Sequence, residues 1–277
     1  MDHSSSVLKT PAAACRLAIF QPTRKPTLVT EMVIKGQWGK ATLTGAVGQR
    51  HRDVLDTVIA LAEGWRPTSE GDIVILIDSA QLRAKLGWDK WSYPQIHDAL
   101  QDLIATRLST ALAGWPPDCA GIVMRVSESL TMPPPARSQS RYKREGAWEP
   151  PSDPTKPRGG MSWEVTISRG WLGLMRHLST RYHDCVLQMR YGVSQAVTRF
   201  MLSHKAGARY EIDTALDAVG VKADAWHRTR ARRQMSGDRE LMAKAGVFLD
   251  GNFATQKPGT ATQKPGETHK TPEPIDL

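Results

Sequence analysis

The segment 133–160 most constrains the fold, because a run so rich in proline and glycine does not pack readily as helix or strand. It opens with consecutive prolines at 133–135 and closes with paired glycines at 159–160. Proline lacks a backbone N–H and glycine is costly to order, so such a run favours a linker. The sequence therefore predicts a linker at 133–160 between two folded segments, 27–132 and 161–253.

Both ends of the chain are predicted to lie outside the packed domains. Residues 1–26 are rich in Ser, Ala and Pro, and the C-terminal region repeats Thr-Gln-Lys-Pro-Gly at 255 and 262. Few apolar residues are available there to offset the entropy lost when a chain becomes ordered. We expect a flexible arm at 1–26 and a disordered tail at 254–277.

Charge distinguishes the two predicted domains. Residues 27–132 contain 10 Lys and Arg against 12 Asp and Glu, whereas residues 161–253 contain 14 against 9. The whole chain carries a formal charge of +9. This balance favours a polyanionic partner over a neutral metabolite, and it directs the search for DNA contacts to the second domain.

The first segment ends in a pattern of two short helices followed by a strand. Apolar residues at Ile73–Ile77 predict a buried strand, and Gly87 is expected to end the helix that follows it. Ser92 can cap a second helix, and Gly121–Val126 predicts the next strand. This order is typical of a winged helix-turn-helix domain.

The second segment repeats the plan. A strand is predicted at Trp163–Ile167, a helix at Gln188–His204, a short helix that Gly220 ends, a basic helix from about Ala223, and a closing strand at Val247–Phe253. The predicted fold class is α+β, with two tandem winged-helix domains that look like diverged copies of one unit.

The basic helix carries the strongest functional signal. On an ideal helix Arg228, Arg232 and Arg239 fall within roughly 40° of one another, which makes a cationic stripe beside an apolar one. The planar fork of arginine can bind guanine O6 and N7 together, and Arg232 and Arg233 are expected to do so. The alternative is a solvated basic face. The predicted DNA contacts of this helix are Arg228, Arg230, Arg232, Arg233, Gln234 and Arg239.

The second helix of the first domain is a weaker candidate for DNA contact. Its exposed face includes Asp98 and Asp102, and carboxylates are repelled by phosphates. Self-association of the chain through this domain, as a homodimer, or binding of a protein partner, is the open alternative. The predicted DNA contacts at the start of this helix are Lys90, Ser92, Tyr93 and Gln95.

The linker contributes a third basic cluster. Arg141, Lys143 and Arg144 surround Tyr142, a mixture of charge and aromatic surface that flexible phosphate clamps often use. These three cations are predicted to contact DNA phosphates. A solvated tether is the alternative interpretation.

Several classes of protein find no support in the sequence. It has no phosphate-binding loop, nucleophile elbow or zinc-binding His pair, so we expect a protein that is not an enzyme and needs no cofactor or metal. Its three cysteines are far apart, which argues against a disulfide framework. No run of about 18 apolar residues or secretory signal pattern is present, so no membrane association and a cytoplasmic location are expected.

Three motifs in the second domain resemble a known family. Ile212–Leu216, Arg230–Gln234 and Leu241–Gly246 are similar to plasmid replication initiators with two winged-helix domains, notably those of incompatibility group Q plasmids. Ser162–Val165 and Ser92–Leu103 resemble them more loosely. The resemblance implies binding of double-stranded DNA at directly repeated origin sequences, melting of adjacent duplex, and recruitment of the replicative helicase or its loader without ATP hydrolysis.

Other functions stay open at this stage. A winged-helix transcriptional repressor would bind DNA in the same way, and a scaffold could contact proteins through the acidic first domain. Arg16–Phe20 also resembles the short peptide with which some initiators bind the replicative sliding clamp. Because Arg16 stands where that peptide has glutamine, an apolar tether packed on the first domain is the preferred interpretation.

Overall fold

A computed structural model describes residues 7–36, 39–62, 64–110, 115–116, 119, 121–128, 162–177 and 179–257. Within these ranges the chain is a mixed α+β protein, as predicted. The helices are α1 (Ala12–Arg16), α2 (Gln49–Ala60), α3 (Ser79–Leu86), α4 (Tyr93–Ala105), α5 (Arg169–His177), α6 (Cys185–Gln188), α7 (Gly192–Leu202), α8 (Ile212–Ala218), α9 (Ala225–Gly237) and α10 (Arg239–Lys244). None of them is long and apolar enough to cross a membrane.

The strands of the described residues form four sheets. Their neighbour orders are β1-β9, β2-β3-β6, β4-β5-β8-β7 and β10-β12-β11. The bounds are β1 (Val7–Pro11), β2 (Val29–Gly36), β3 (Gly39–Gly45), β4 (Gly64–Pro67), β5 (Ile73–Asp78), β6 (Arg107–Thr110), β7 (Val123–Glu128), β8 (Ser162–Ile167), β9 (Ser179–His183), β10 (Arg209–Glu211), β11 (Val247–Asp250) and β12 (Phe253–Gln256).

Two apolar cores are present in the described chain. The first core packs α2 to α5 against the three-stranded and four-stranded sheets formed by β2 to β8. The second core packs α6 to α10 against the β10-β12-β11 sheet, and Leu8 of β1 and Tyr182 of β9 join it. Strand β1 thus pairs with a segment that follows it much later in the chain, from Val7 opposite His183 to Pro11 opposite Ser179.

Part of the order of elements is shared by the two cores. The first contains α2, β5, α3, α4, β7 and β8, with β4 and β6 interspersed, and the second contains α7, β10, α8, α9, β11 and β12, with α10 interspersed. In each, the last of these strands lies between the other two, as β5-β8-β7 and β10-β12-β11.

The structure corrects the predicted boundary between the domains. The predicted linker 133–160 lies outside the described residues, but β7 and β8 on either side of it pair with each other, with Val126 opposite Val165. Trp163, Val165 and Ile167 of β8 are buried in the first core. The connection therefore joins two strands of one sheet, and β8 belongs to the first unit, because its apolar residues complete the sheet that β5 begins.

The predicted ends of the chain also need correction. From Val7 onward the arm is packed, since β1 pairs with β9 and the apolar residues Leu17, Ile19 and Phe20 are buried in the first core. The apolar tether preferred for Arg16–Phe20 agrees with this burial. At the other end β12 extends to Gln256, which is 0% exposed, so the predicted start of the tail at 254 is too early.

A buried network of charged and polar side chains connects the cores. Arg199 of α7 donates to Asp53 Oδ1 of α2 at 2.6 Å, to Gln49 Oε1 at 2.7 Å and to the Tyr182 hydroxyl at 3.0 Å. The Tyr182 hydroxyl in turn donates to Asp56 Oδ2 at 2.6 Å. Because buried charges are tolerated only when they are paired, this network fixes α2 against α7.

Glycine at 192 is required by a close approach of two backbones. A methyl group added there would lie 2.6 Å from the Thr23 carbonyl carbon and 2.9 Å from the Arg24 nitrogen, so the turn at 21–25 would have to move. We expect Gly192→Ala to destabilise the protein by about 1–3 kcal/mol in urea unfolding, because neither backbone can yield locally. Gly237→Ala, which meets only the Tyr191 ring, should cost less, and equal losses would contradict this account.

Candidate nucleic-acid interface

Local capping sets the position of α9, the predicted DNA-binding helix. Gly220 has a φ of +82°, which allows the turn after α8. Asp224 then caps α9, and its carboxylate accepts the His227 backbone N–H at 3.0 Å. That hydrogen bond and a second from the His227 ring hold the pKa of Asp224 below its ordinary value. The helix therefore begins at a defined residue, in agreement with the predicted start near Ala223.

Arg228, one residue of the predicted cationic stripe, faces the protein. Arg228 is 9% exposed, and its guanidinium donates to the Asp213 carbonyl at 2.7 Å and to the Asp217 carboxylate of α8. It borders Ala231 and Met235, which are buried in the second core as predicted. The prediction that Arg228 contacts DNA is therefore corrected, because its donors bind α8.

Two further arginines of the stripe bond the β11–β12 hairpin. Arg232 of α9 donates to Asn252 Oδ1 at 3.1 Å and forms an ion pair with Asp213 at 3.0 Å. Arg239 is exposed and lies in α10 rather than in the basic helix, and it donates to the Leu249 carbonyl at 2.9 Å. The base-reading role predicted for Arg232 conflicts with its bonds to Asn252 and Asp213.

The opposite face of α9 is exposed and cationic. Arg230 and Arg233 lie on it with Trp226, which is 62% exposed. The Arg230 guanidinium carbon lies 5.2 Å from the centroid of a Trp226 ring. Among the described residues neither arginine forms an ion pair. Gln234 is half-buried beside this face, so the available donors are those of Arg230 and Arg233.

The orientation of α9 leads to a stability prediction for its inward arginine. We expect Arg228→Met to lower the free energy of unfolding by about 1–3 kcal/mol, because it breaks the bonds to α8 at a largely buried position. Urea unfolding measures this loss, with Arg233→Met as the matched control, expected to change stability by less than about 0.5 kcal/mol. A control variant as unstable as Arg228→Met would mean that the two faces of α9 are assigned the wrong way round.

The residues predicted at the start of α4 do lie together. Ser92 and Gln95 form a reciprocal cap, in which Gln95 Oε1 accepts the Ser92 N–H at 3.0 Å and the Ser92 hydroxyl accepts the Gln95 N–H at 3.4 Å. The Arg83 guanidinium covers the Tyr93 ring at 5.1 Å, and Lys90 Nζ donates to the Gln188 carbonyl at 3.3 Å. The side chains of Ser92 and Gln95 therefore serve the helix cap first.

A cavity of about 460 Å³ lies between β2 and the second core. His204 and Tyr210 line it, and the Tyr210 hydroxyl and His204 Nδ1 are 3.0 Å apart. Burial, with the charge of Arg16 as a smaller cause, lowers the pKa of His204 to about 4, so its ring is neutral at pH 7. Besides these rings, the charged residues Arg16, Lys35 and Asp217 line the cavity.

Sequence reasoning missed a group of cations that the fold brings together. Arg24, Arg50 and Arg190 come from three distant segments and meet near Lys90. No local pattern in the sequence marks them as one group, because they lie far apart in the chain. The third predicted set, Arg141, Lys143 and Arg144, lies outside the described residues.

No protein-family model, curated protein or solved structure matches the chain at a significant level.

Proposed function

We propose that this chain is a sequence-specific double-stranded DNA-binding protein that initiates plasmid replication by binding repeated origin sites. The observation that carries the proposal is the exposed face of α9, where Arg230 and Arg233 stand free of ion pairs among the described residues. An α-helix fits the major groove, and arginine donates to O6 and N7 of guanine there. Trp226 supports Arg230 from the same face.

The order of elements around α9 supports this docking. One helix, one strand, two helices across a tight turn and a β-hairpin make up a winged helix-turn-helix, in which the second helix of the pair enters the groove. The second core has this order, and the first core shares part of it. We therefore propose two tandem winged-helix domains, with α9 as the reading helix of the second.

Initiation requires protein partners, and α4 offers a surface for them. Asp98 and Gln101 are exposed on this helix, and Asp102 is 54% exposed where it bonds His51. An acidic face repels phosphates, so it suits a protein better than DNA. We propose that it contacts the replicative helicase or its loader, and a homodimer through the first unit is the other outcome to be tested. The initiator role itself follows from the resemblance of Arg230–Gln234 and its neighbours to plasmid initiators.

Selection of bound duplexes from a random DNA pool tests the proposed function. The full chain should enrich a defined sequence, and the Arg230→Ala, Arg233→Ala double variant should not. Recovered sites that occur as direct repeats, about two helical turns apart, near a plasmid origin support the initiator.

The other outcomes are equally informative. A single palindrome upstream of an operon would favour a transcriptional repressor. No enriched sequence, together with capture of a helicase loader by the purified chain, would contradict DNA reading and favour a scaffold.

A further inference from the structure

Four cations from separate segments form one surface where the two cores meet, here called the junction patch: Arg24, Arg50, Lys90 and Arg190. Arg24 Nη1 donates to the Met189 carbonyl at 2.9 Å, and Lys90 Nζ donates to the neighbouring Gln188 carbonyl at 3.3 Å. Both bonds leave the positive charge without an anionic partner. Arg190, the next residue after Met189, is exposed.

The carboxylates near the junction patch offset its charge only in part: the charge of Asp53 raises the pKa of Arg50 against the other causes, and exposed Asp89 lines the same cavity as Lys90. Asp53 is bound by Arg199, Asp184 by Lys85, and the Asp238 carboxylate accepts the backbone N–H groups of Arg190 and Tyr191 at 3.0 Å. Among the described residues no carboxylate forms an ion pair with a member of the patch.

Two members of the patch are close enough to repel each other. The Arg50 guanidinium lies 4.2 Å from the centroid of a Trp91 ring, which holds it at the start of α4. Burial lowers the pKa of Arg50, and the charge of Arg24 lowers it further. An anion placed between these groups would relieve the repulsion, because it would interact favourably with both.

The junction patch also lies next to the end of α9. A methyl group added to Gly237, the last residue of that helix, would lie 3.0 Å from Tyr191 Cε2. The patch therefore extends from the start of α4 to the end of α9, and Arg233 lies one helical turn before that end. A duplex with its major groove on α9 would bring a phosphate backbone to this surface.

We propose that the junction patch binds the sugar-phosphate backbone of the duplex that α9 reads, and so fixes both cores on one DNA molecule. The inference rests on the proposed function. Arginine and lysine suit this task because phosphate contact needs only charge and reach, and such contacts position a protein without reading sequence. Such phosphate contacts are expected to raise the affinity for every DNA sequence by the same factor, and this contribution should fall strongly as the salt concentration rises.

The test removes the charges of the patch and measures the salt dependence of binding. Arg50→Gln, Lys90→Gln and Arg190→Gln are combined, while Arg24 is kept because it is half-buried and its bond to the Met189 carbonyl, at 2.9 Å, is shorter than that of exposed Lys90 to Gln188, at 3.3 Å. The control combines Lys35→Gln, Lys40→Gln and Arg181→Gln, which are exposed cations elsewhere. Binding is measured by fluorescence anisotropy with a selected duplex and with its scrambled version, each at several salt concentrations. The logarithm of the association constant is then plotted against the logarithm of the salt concentration.

We expect the slope for the patch variant to become less steep by about 2–3, at roughly 0.9 per lost phosphate contact. Affinity should fall by the same factor on both duplexes, and the control slope should equal that of the wild type. If the unfolding midpoint shows that the triple variant is not folded, Arg190→Gln alone is tested. The slope is then expected to become less steep by about 0.9.

A patch variant with the wild-type slope would overturn the inference and leave the proposed function intact, provided that the wild type still prefers the selected duplex. If the wild-type protein binds no DNA, both the inference and the proposed function are wrong. A loss on the selected duplex alone would also contradict the inference, because it would mean that these cations read bases.

Discussion

Replacing Arg199 by methionine is expected to lower the free energy of unfolding by about 3–5 kcal/mol, the largest effect of any substitution considered. The change leaves Asp53 buried without its ion-pair partner, while Asp56 keeps its ion pair with Arg52 at 3.5 Å and loses the favourable charge of Arg199. Burial already raises the pKa of Asp56, while Arg52 and Arg199 act in the opposite direction. Without Arg199 the Asp53 carboxylate must take up a proton or draw in water, and both cost stability. Urea unfolding at pH 7 measures the loss.

A matched surface variant separates charge burial from simple loss of an arginine. Arg176→Met removes an exposed guanidinium on α5 and should change stability by less than about 0.5 kcal/mol. Combining Arg199→Met with Asp53→Asn should recover part of the loss, because one uncompensated charge is then gone. If Arg199→Met proves as stable as the surface variant, the network does not hold α2 against α7.

Loss of the two outward arginines of α9 should abolish most sequence preference. We expect Arg230→Ala and Arg233→Ala each to cost about 1–3 kcal/mol of specific binding, because each removes a base-edge contact. Binding to scrambled duplex should change far less. Titration of both variants on a selected duplex and on single-base substitutions of it identifies the position that each arginine reads.

Arg181→Ala, an exposed arginine on β9, is the control and should retain wild-type affinity on every duplex. Arg232→Ala should differ from the two outward variants. Its main effect is expected on the hairpin that it bonds, and hence on unfolding. Equal losses on selected and scrambled DNA for Arg230→Ala and Arg233→Ala would show that α9 holds phosphates only.

Local signals in the sequence predicted local structure well. The Ser92 hydroxyl caps α4 by accepting the Gln95 backbone N–H, and Gly87 ends α3 with a φ of +104°. Such features depend on a few neighbouring residues, so a single sequence contains them completely. At α3 the Asp78 carboxylate accepts the capping N–H of Ala80 at 2.8 Å.

Pairings between distant segments were not predictable in the same way. The pattern of Trp163–Ile167 identified a strand, but nothing in it specified β5 and β7 as neighbours. The stripe through Arg228 was recognised, yet its direction depended on α8, whose carboxylates bind it. A helical projection shows which residues share a face, and tertiary packing decides which face meets solvent. Arg24 and Arg190 were missed for the same reason.

The late position of β8 has a consequence for synthesis of the chain. Strand β5 ends at Asp78, but its antiparallel partner β8 ends at Ile167. At about 5–20 residues per second, a ribosome needs roughly 5–20 s to supply the missing strand. During that interval the apolar strand β5 has an unpaired edge, which can pair with a strand of another nascent chain. Slow translation between these strands would lengthen this exposure, so codon choice there bears on the yield of folded protein.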